Sequence, residues 1–546
     1  MSWLRNGSLV DIPAPIKQIP RWVRQKRLTE RQKAFADTDL RRKRFEPTRW
    51  LPRSPGLRGH HRDVRRTALR LILVSNRVAI PTESGAHRAG GLEVVLAPTL
   101  KRYEGVWFGW SGNVVPRAQV TTKIIEKSKQ SYVLTDLADE DYQEYYSGFA
   151  NRVLWPILHY RIDLAEFTRR ELTGYLRVNQ HFADELSKVT LPEDLIWVHD
   201  YHFIPLGGEL RKRGHTNRIG FFLHVPFPAP EFITVLPRHE RFLSSLLQYD
   251  LVGFQTEGDV RNFVRYALSE NRGSNIRILQ ATDRQIVLSE DGRQVRVGSF
   301  PVGIDTGGFE RLARRAAQSS FVREVVESLG GRTLLIGVDR LDYTKGLLQR
   351  IEAFDLFFSG HPDWRGKVTY LQITPKSRSE IPEYSELEQA LGAGAGRING
   401  KFGEASWTPI RYVNRAHSRS ALAGLYRSAR VGVVTPLRDG MNLVAKEYVA
   451  AQDANDPGVL ILSRFAGAAD ECRDALLVNP YDSELVADAI SRALEMPLSE
   501  RQERHSHILA TLSQNSSDMW GAQFLQSLEQ LEVPESGEEF LERYVI

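Results

Sequence analysis

A chain of 546 residues with 42% hydrophobic residues is long enough for two or more packed domains, and its single cysteine, Cys472, excludes a disulfide framework and points to a reducing, cytoplasmic setting. No apolar run approaches the roughly 18 residues that cross a bilayer, so a soluble chain with no membrane span is expected. The formal charge of +6 is uneven: residues 1–70 carry 19 Lys and Arg against 6 Asp and Glu, the remainder 54 against 61, so an acidic body carries a basic extension and nucleic acid is not an expected partner.

That extension has Arg clusters at Arg41 to Arg44 and at Arg62 to Arg66, several Pro residues and little apolar periodicity, so no independent core is expected of it. It lacks the apolar stretch of a secretory signal. It reads as a solvated, disordered tail. A tether to anionic surfaces or RNA, an Arg-rich transit segment and an overlong start are the alternatives, although the next Met after Met1 is Met441.

The folded part opens with an apolar strand from Leu71 that ends in the polar turn Ser75-Asn76-Arg77. Gly90-Gly91 then precedes a helix predicted from Leu92 to about Arg102. Further strands are predicted at residues 106–110, 131–134, 195–199, 219–224 and 251–254, with helices at 182–189 and 232–247 between them. The alternating run from Gln294 to Ile304 leads into a Gly-bearing connection, and the domain boundary is set there. A second series follows, with strands at 333–338, 368–373, 431–434, 458–462 and 475–478, a helix from 347 to 358, and a mostly helical stretch from 484 to 531. Two successive series of this kind predict an α/β protein of two doubly wound, Rossmann-like domains facing a cleft, 71–304 and 305–531, followed by a tail, 532–546.

Two turns of the second series carry the strongest chemistry. One runs from Thr435 to Glu447, between the strand at 431–434 and a helix predicted from Leu443 to Ala451. Gly440 lets the backbone approach a ligand closely, Asn442 is a candidate N-cap, and the first helical N–H groups point at ligand oxygens. Asp439 and Glu447 are acceptors suited to hydroxyls, so a ligand with both phosphate and sugar fits. An ordinary turn with a capping Asn and two solvated acids is the plain alternative. The other turn, Val338 to Gly346, brings Arg340 and Lys345 to a strand's carboxyl end, where two fixed cations suit a leaving diphosphate. A salt-bridged surface loop is its alternative, and no P-loop pattern occurs.

In the first series, Asp200 and His224 end buried strands and should reach the cleft floor. His199 and His202 lack Cys partners and a third ligand at suitable spacing. Asp139-Glu140-Asp141 imitates a metal-binding D-x-D but falls in an acidic, helical surface segment, so no metal and no cofactor are expected.

Together, Ser75-Asn-Arg77, Gly90-Gly91, Trp107 to Trp110, Tyr145-Tyr146, Val153 to Pro156, His199 to His202, His224 to Pro228, Arg340 to Gly346, Gly396 to Gly400 and Arg438 to Glu447 resemble the trehalose-6-phosphate synthase family in order and spacing. The resemblance covers about Leu71 to Leu531 and implies a retaining GT-B glycosyltransferase that moves glucose from UDP-glucose to glucose 6-phosphate. It implies that Arg340 and Lys345 hold the donor diphosphate, that Gly90 and Gly91 form a loop over it, and that Glu447 holds the ribose. Asp439 and the backbone of Gly440, Met441, Asn442 and Leu443 would bind the donor glucose together with His224. Asp200 would contact the acceptor sugar, and Arg77, Tyr146, Trp155 and Arg378 its phosphate. No phosphatase domain follows, so a separate phosphatase would act on the product; a homo-oligomer is compatible. Glucosylglycerol-phosphate synthase, a relative that takes glycerol 3-phosphate, and a non-catalytic sugar-phosphate sensor are the competing readings.

Overall fold

The computed structural model describes residues 70–530 except 79, 81–90, 270–275, 282–284, 291 and 379. Residues 1–69, the tail beyond 530 and Gly90 lie outside the described residues. The described strands form two sheets within one compact unit. The first holds β1 (Leu71–Arg77), β2 (Gly105–Val115), β3 (Thr122–Lys127), β4 (Gln130–Ala138), β5 (Leu195–His199), β6 (Ile219–Phe222), β7 (Leu251–Phe254), β8 (Arg277–Ala281), β9 (Gln285–Glu290) and β10 (Arg293–Ser299). Their order is β3-β4-β2-β1-β5-β6-β7-β10-β9-β8. The second holds β11 (Thr333–Val338), β12 (Val368–Ile373), β13 (Ile410–Val413), β14 (Val431–Val434), β15 (Val459–Ser463) and β16 (Leu476–Val478), in the order β13-β12-β11-β14-β15-β16 and parallel throughout.

The central strands are apolar on successive residues because both sheet faces are covered. In β1, Ile72 and Val74 enter one core and Leu71 and Leu73 the opposite one. In β11, Leu334 and Ile336 face one core while Leu335 faces another. Each sheet also reverses its strand order once. The chain runs outward from β1 to β2 and β4, then returns to place β5 on β1's other side. It repeats this around β11, with β12 on one flank and β14 on the other. Crevices at such reversals, at the carboxyl ends of the strands, are where open α/β sheets bind ligands.

The expected strands are all present, with some boundaries moved. The helix expected at 232–247 is instead two short ones, Pro230–Ile233 and Glu240–Leu246, because Pro237 and the positive φ of Arg238 (61°) lie between them. The strand expected to reach His224 ends at Phe222. The last helix, Ser517–Glu529, leaves the second sheet and packs on the first: Phe524 stacks on Trp197 with ring centroids 4.6 Å apart. Gly220 and Gly253 make room for it, since a Cβ at either would come within 2.7 Å of the Phe524 ring. Among the described residues no helix is long and apolar enough to cross a membrane.

Candidate active site

The turns after β5 and β6 come first. Asp200 follows β5 with φ 76° and ψ 165°. Its N–H donates to the Phe222 carbonyl (2.8 Å), and its Oδ1 accepts the N–H of His224 (3.3 Å). Burial pushes its carboxyl up to about 6. Nδ1 of His199 lies 3.0 Å from Nε2 of His224, so the two rings share one proton. Burial holds His224 down at about 3, and its Nδ1 is buried without a partner among the described residues.

On the second sheet, Asp439 follows β14 and Lys345 lies in the turn after β11. The Lys345 ammonium donates to Asp439 Oδ2, and Asn442 Nδ2 donates to the same oxygen (3.1 Å). Burial opposes the Asp439 charge, but Lys345 and Asn442 hold the carboxyl below its usual range. Asn442 is the expected N-cap: its Oδ1 accepts the Ala445 N–H (3.0 Å) at the start of the helix Leu443–Ala451. Gly440 also makes a close approach within the protein. A Cβ there would stand 2.4 Å from the His224 carbonyl oxygen, so it is where the two sheets' turns touch. Met441 and Leu443 pack against the core that backs β1 and β5.

Trp155 stands between the cations. The guanidinium of Arg340 lies 4.7 Å from its ring centroid and that of Arg378 4.1 Å, each near enough for a cation–π contact. Arg378, at φ 49°, also donates to the hydroxyls of Tyr384 (2.7 Å) and Tyr201 (3.2 Å), the latter from the first sheet's side. Asp342 is fully buried between them, 3.3 Å from Arg340 and 3.7 Å from Arg378. Although burial works against it, those two guanidiniums hold its carboxyl below the usual range.

Tyr146 and Arg77 connect through rings. Arg77 lies 5.5 Å from the Trp110 centroid, Trp110 meets Tyr146 at 5.5 Å, and Tyr146 stacks on His202 at 5.9 Å. Tyr146 is carried by a π-helix, Tyr142–Leu154, that ends against Trp155. Gly91 is the first residue of the helix Gly91–Arg102. Glu447 lies farther along the helix that Asn442 caps, and Arg419 donates to its Oε1 from Nε (3.2 Å) and Nη2 (3.1 Å).

Asp141 does not belong to a solvated acidic face. It is buried and paired with Arg177 (2.6 Å) and Arg117 (3.1 Å). Among the described residues no group of three or more His, Cys, Asp or Glu is arranged to hold a metal.

Sequence reasoning missed five residues. Asp342 sits inside a turn it did use. Tyr201 lies between two residues it did weigh. His159, whose Nδ1 meets the Trp155 carbonyl at 2.8 Å, faces Asp342, Asp439 and Lys345 and is held down at about 4, chiefly by burial. Arg350 is buried in the helix Leu347–Gly360, where it binds Asp339 (2.7 Å), Thr435 (2.9 Å) and the Lys345 carbonyl (3.3 Å), and so locks the two turns together. Arg419 had no signal beyond following a capping Ser418.

Three cations, two carboxylates that pair with them and three neutral histidines form an arrangement able to stabilise negative charge and to meet hydroxyls. Asp342 and Asp439 are both committed to cations, so neither stands free as a nucleophile.

Residues 70–530 match the family described as Glycosyltransferase family 20. A trehalose-6-phosphate synthase of Sinorhizobium fredii is 51% identical over 466 residues, 84% of this chain and 98% of that protein. The crystal structure of a UDP-forming α,α-trehalose-phosphate synthase from Burkholderia xenovorans in complex with glucose-6-phosphate superimposes with a TM-score of 0.81 at 44% identity, covering 84% of this chain and 100% of that one. A trehalose-6-phosphate enzyme from E. coli bound with UDP-2-fluoro glucose gives 0.79 at 43% identity, covering 85% and 99%.

Proposed function

Since the chain belongs to glycosyltransferase family 20, we propose that it transfers glucose from UDP-glucose to glucose 6-phosphate with retention, giving α,α-trehalose 6-phosphate and UDP. The observation that carries this reading is the pairing of Lys345 with Asp439 beside Arg340, where the turns after β11 and β14 meet at the sheet's reversal. Arg340 and Lys345 take the diphosphate, and Asp439, the backbone from Gly440 to Leu443 and His224 take the glucose. Glu447 takes the ribose. Asp200 meets the acceptor sugar, and Arg77, Tyr146, Trp155 and Arg378 its phosphate.

The anomeric hydroxyl of the acceptor attacks C1 of the donor glucose as the bond from C1 to the diphosphate oxygen breaks. The leaving phosphate takes the acceptor's proton on the same face, so no protein nucleophile is needed. The chain's own residues position both sugars and neutralise the charge that grows on the diphosphate. The product leaves phosphorylated. A cytoplasmic setting suits the lone, buried Cys472.

Turnover should require UDP-glucose with glucose 6-phosphate in a matrix of UDP-, ADP- and GDP-glucose against glucose 6-phosphate and glycerol 3-phosphate. A higher kcat/KM with glycerol 3-phosphate would transfer the chain to the glucosylglycerol-phosphate reading. Lys345→Ala should lower kcat on the order of 10²–10³, the usual cost of losing one preorganised charge at a developing anion. Near-wild-type kcat in that variant would remove Lys345 from the diphosphate.

A further inference from the structure

Arg419 begins the helix Arg419–Ser428 that follows β13 and reaches across to the helix carrying Glu447. Its contact with Glu447 is not the usual fork, in which two donors meet two carboxylate oxygens. Nε and Nη2 both donate to Oε1, at 3.2 and 3.1 Å. Among the described residues Oε2 receives no protein donor. The guanidinium is fixed from a second direction, because it lies 5.0 Å from the ring centroid of the buried Phe309. That ring belongs to the helix Thr306–Ala316, so three helices define where Arg419 can stand. The Arg419 side chain is 40% exposed and that of Glu447 16%, so the pair lies at the rim of the site with the carboxylate on the inner side.

We propose that Arg419 is a positioning residue for the nucleotide: it saturates one oxygen of Glu447 and so aims the other at a ribose hydroxyl of the donor. The inference rests on the reading that Glu447 takes the ribose. A hydroxyl donates most strongly to an ionised carboxylate. Burial raises the Glu447 carboxyl, while the neighbouring Arg419 charge opposes that shift. Arg419 thus keeps the acceptor both charged and singly available. A lysine would restore the charge but offers a point donor on a flexible stem, without the planar face that lies on Phe309.

The test uses the full chain with Arg419→Met, Arg419→Lys, Glu447→Gln and the double variant Arg419→Met with Glu447→Gln. Each is assayed with UDP-glucose and with its 2′-deoxy- and 3′-deoxyribose analogues, and UDP binding is measured by calorimetry. Arg419→Met should raise KM for UDP-glucose on the order of tenfold, the loss of about one charge-assisted hydrogen bond, and lower kcat less. KM for glucose 6-phosphate should hold. The preference for UDP-glucose over a deoxyribose donor should shrink towards that of Glu447→Gln, with Arg419→Lys intermediate. Because Arg419 acts through Glu447, the double variant should be no worse than Glu447→Gln alone.

A residue that only stabilises the helix would lower the melting temperature and weaken both substrates alike, which overturns the proposal. So would additive losses in the double variant, or an unchanged ribose preference in Arg419→Met while Glu447→Gln abolishes it. If Glu447→Gln itself leaves the ribose preference intact, the ribose reading fails first and takes this inference with it.

Discussion

Asp200 holds a backbone conformation, φ 76° and ψ 165°, that is close to glycine-only territory and costs of order 1–3 kcal/mol. The strain persists because both its peptide groups are bound, N–H to Phe222 and carbonyl to Phe203. The same burial that fixes it lifts the carboxyl to about 6 from its ordinary 3.8. A carboxyl raised on folding contributes stability that is complete below its unfolded value and is lost as pH climbs through its folded one. Asp200→Asn keeps the shape and removes that titration. Its melting temperature should exceed the wild type's at pH 8, and the gain should fade between about pH 6 and 4. Activity with glucose 6-phosphate should fall at every pH. An equal thermal gain at pH 8 and pH 4 would mean that the carboxyl is not perturbed. The sequence marked Asp200 by its place at a strand end. It could not show the strain, which arises from the turn into the Tyr201–Phe203 helical turn and from the tight meeting with His224.

The π-helix Tyr142–Leu154 is held against the helix Arg169–Ser187 by two glycines. A Cβ on Gly174 would lie 2.3 Å from Glu144 Cβ, and one on Gly148 2.7 Å from Glu171 Cγ. Gly174→Ala should therefore destabilise by about 1–3 kcal/mol despite alanine's better helix propensity. Because the push is transmitted to the element that bears Tyr146, KM for glucose 6-phosphate should rise several-fold while KM for UDP-glucose holds. Gly392, in the helix Pro382–Phe402, has nothing within 4 Å of its Cβ position, so Gly392→Ala should stabilise by roughly 0.5–1 kcal/mol. Chemical denaturation of both variants measures the contrast; equal effects would show that packing does not decide at Gly174. At this scale the sequence was legible wherever burial on both faces writes an uninterrupted apolar run, as in β1, β11 and β14. It was silent for β3, whose Thr-Lys-Ile-Ile-Glu-Lys is almost wholly exposed at a sheet edge. It was silent too for the π-helix Tyr142–Leu154, a winding rare enough that no residue pattern announces it.

The two sheets meet at few but specific contacts. Gly440 presses on the His224 carbonyl, Arg378 reaches the Tyr201 hydroxyl, Tyr142 donates to Glu380 at 2.5 Å, and Arg438 lies 4.6 Å from the Tyr160 ring. The acceptor site proposed above shares this construction, since Trp155, Tyr146 and Arg77 come from one side and Arg378 from the other. The family motif could name these residues one by one, but only the fold shows that Trp155 is gripped by cations from across the cleft. Arg378 is 8% exposed in its side chain, whereas Arg77 is exposed at the end of β1. The two should therefore answer differently to the same substitution. A lysine keeps the charge but loses the forked donors that grip phosphate oxygens, and charge-assisted hydrogen bonds contribute about 1.5–3 kcal/mol each. Arg378→Lys and Arg77→Lys should each raise KM for glucose 6-phosphate ten- to a hundredfold and change KM for UDP-glucose far less. Arg378→Lys should also lower the melting temperature, because it gives up two tyrosine hydrogen bonds and the stack on Trp155. Arg77→Lys should leave stability within about 0.5 kcal/mol, as exposed substitutions usually do. Steady-state kinetics with thermal melts on the two purified variants separates the cases. If Arg77→Lys lowers the melting temperature and spares the acceptor KM, Arg77 serves the Trp110 contact alone and the phosphate is held from the second sheet's side.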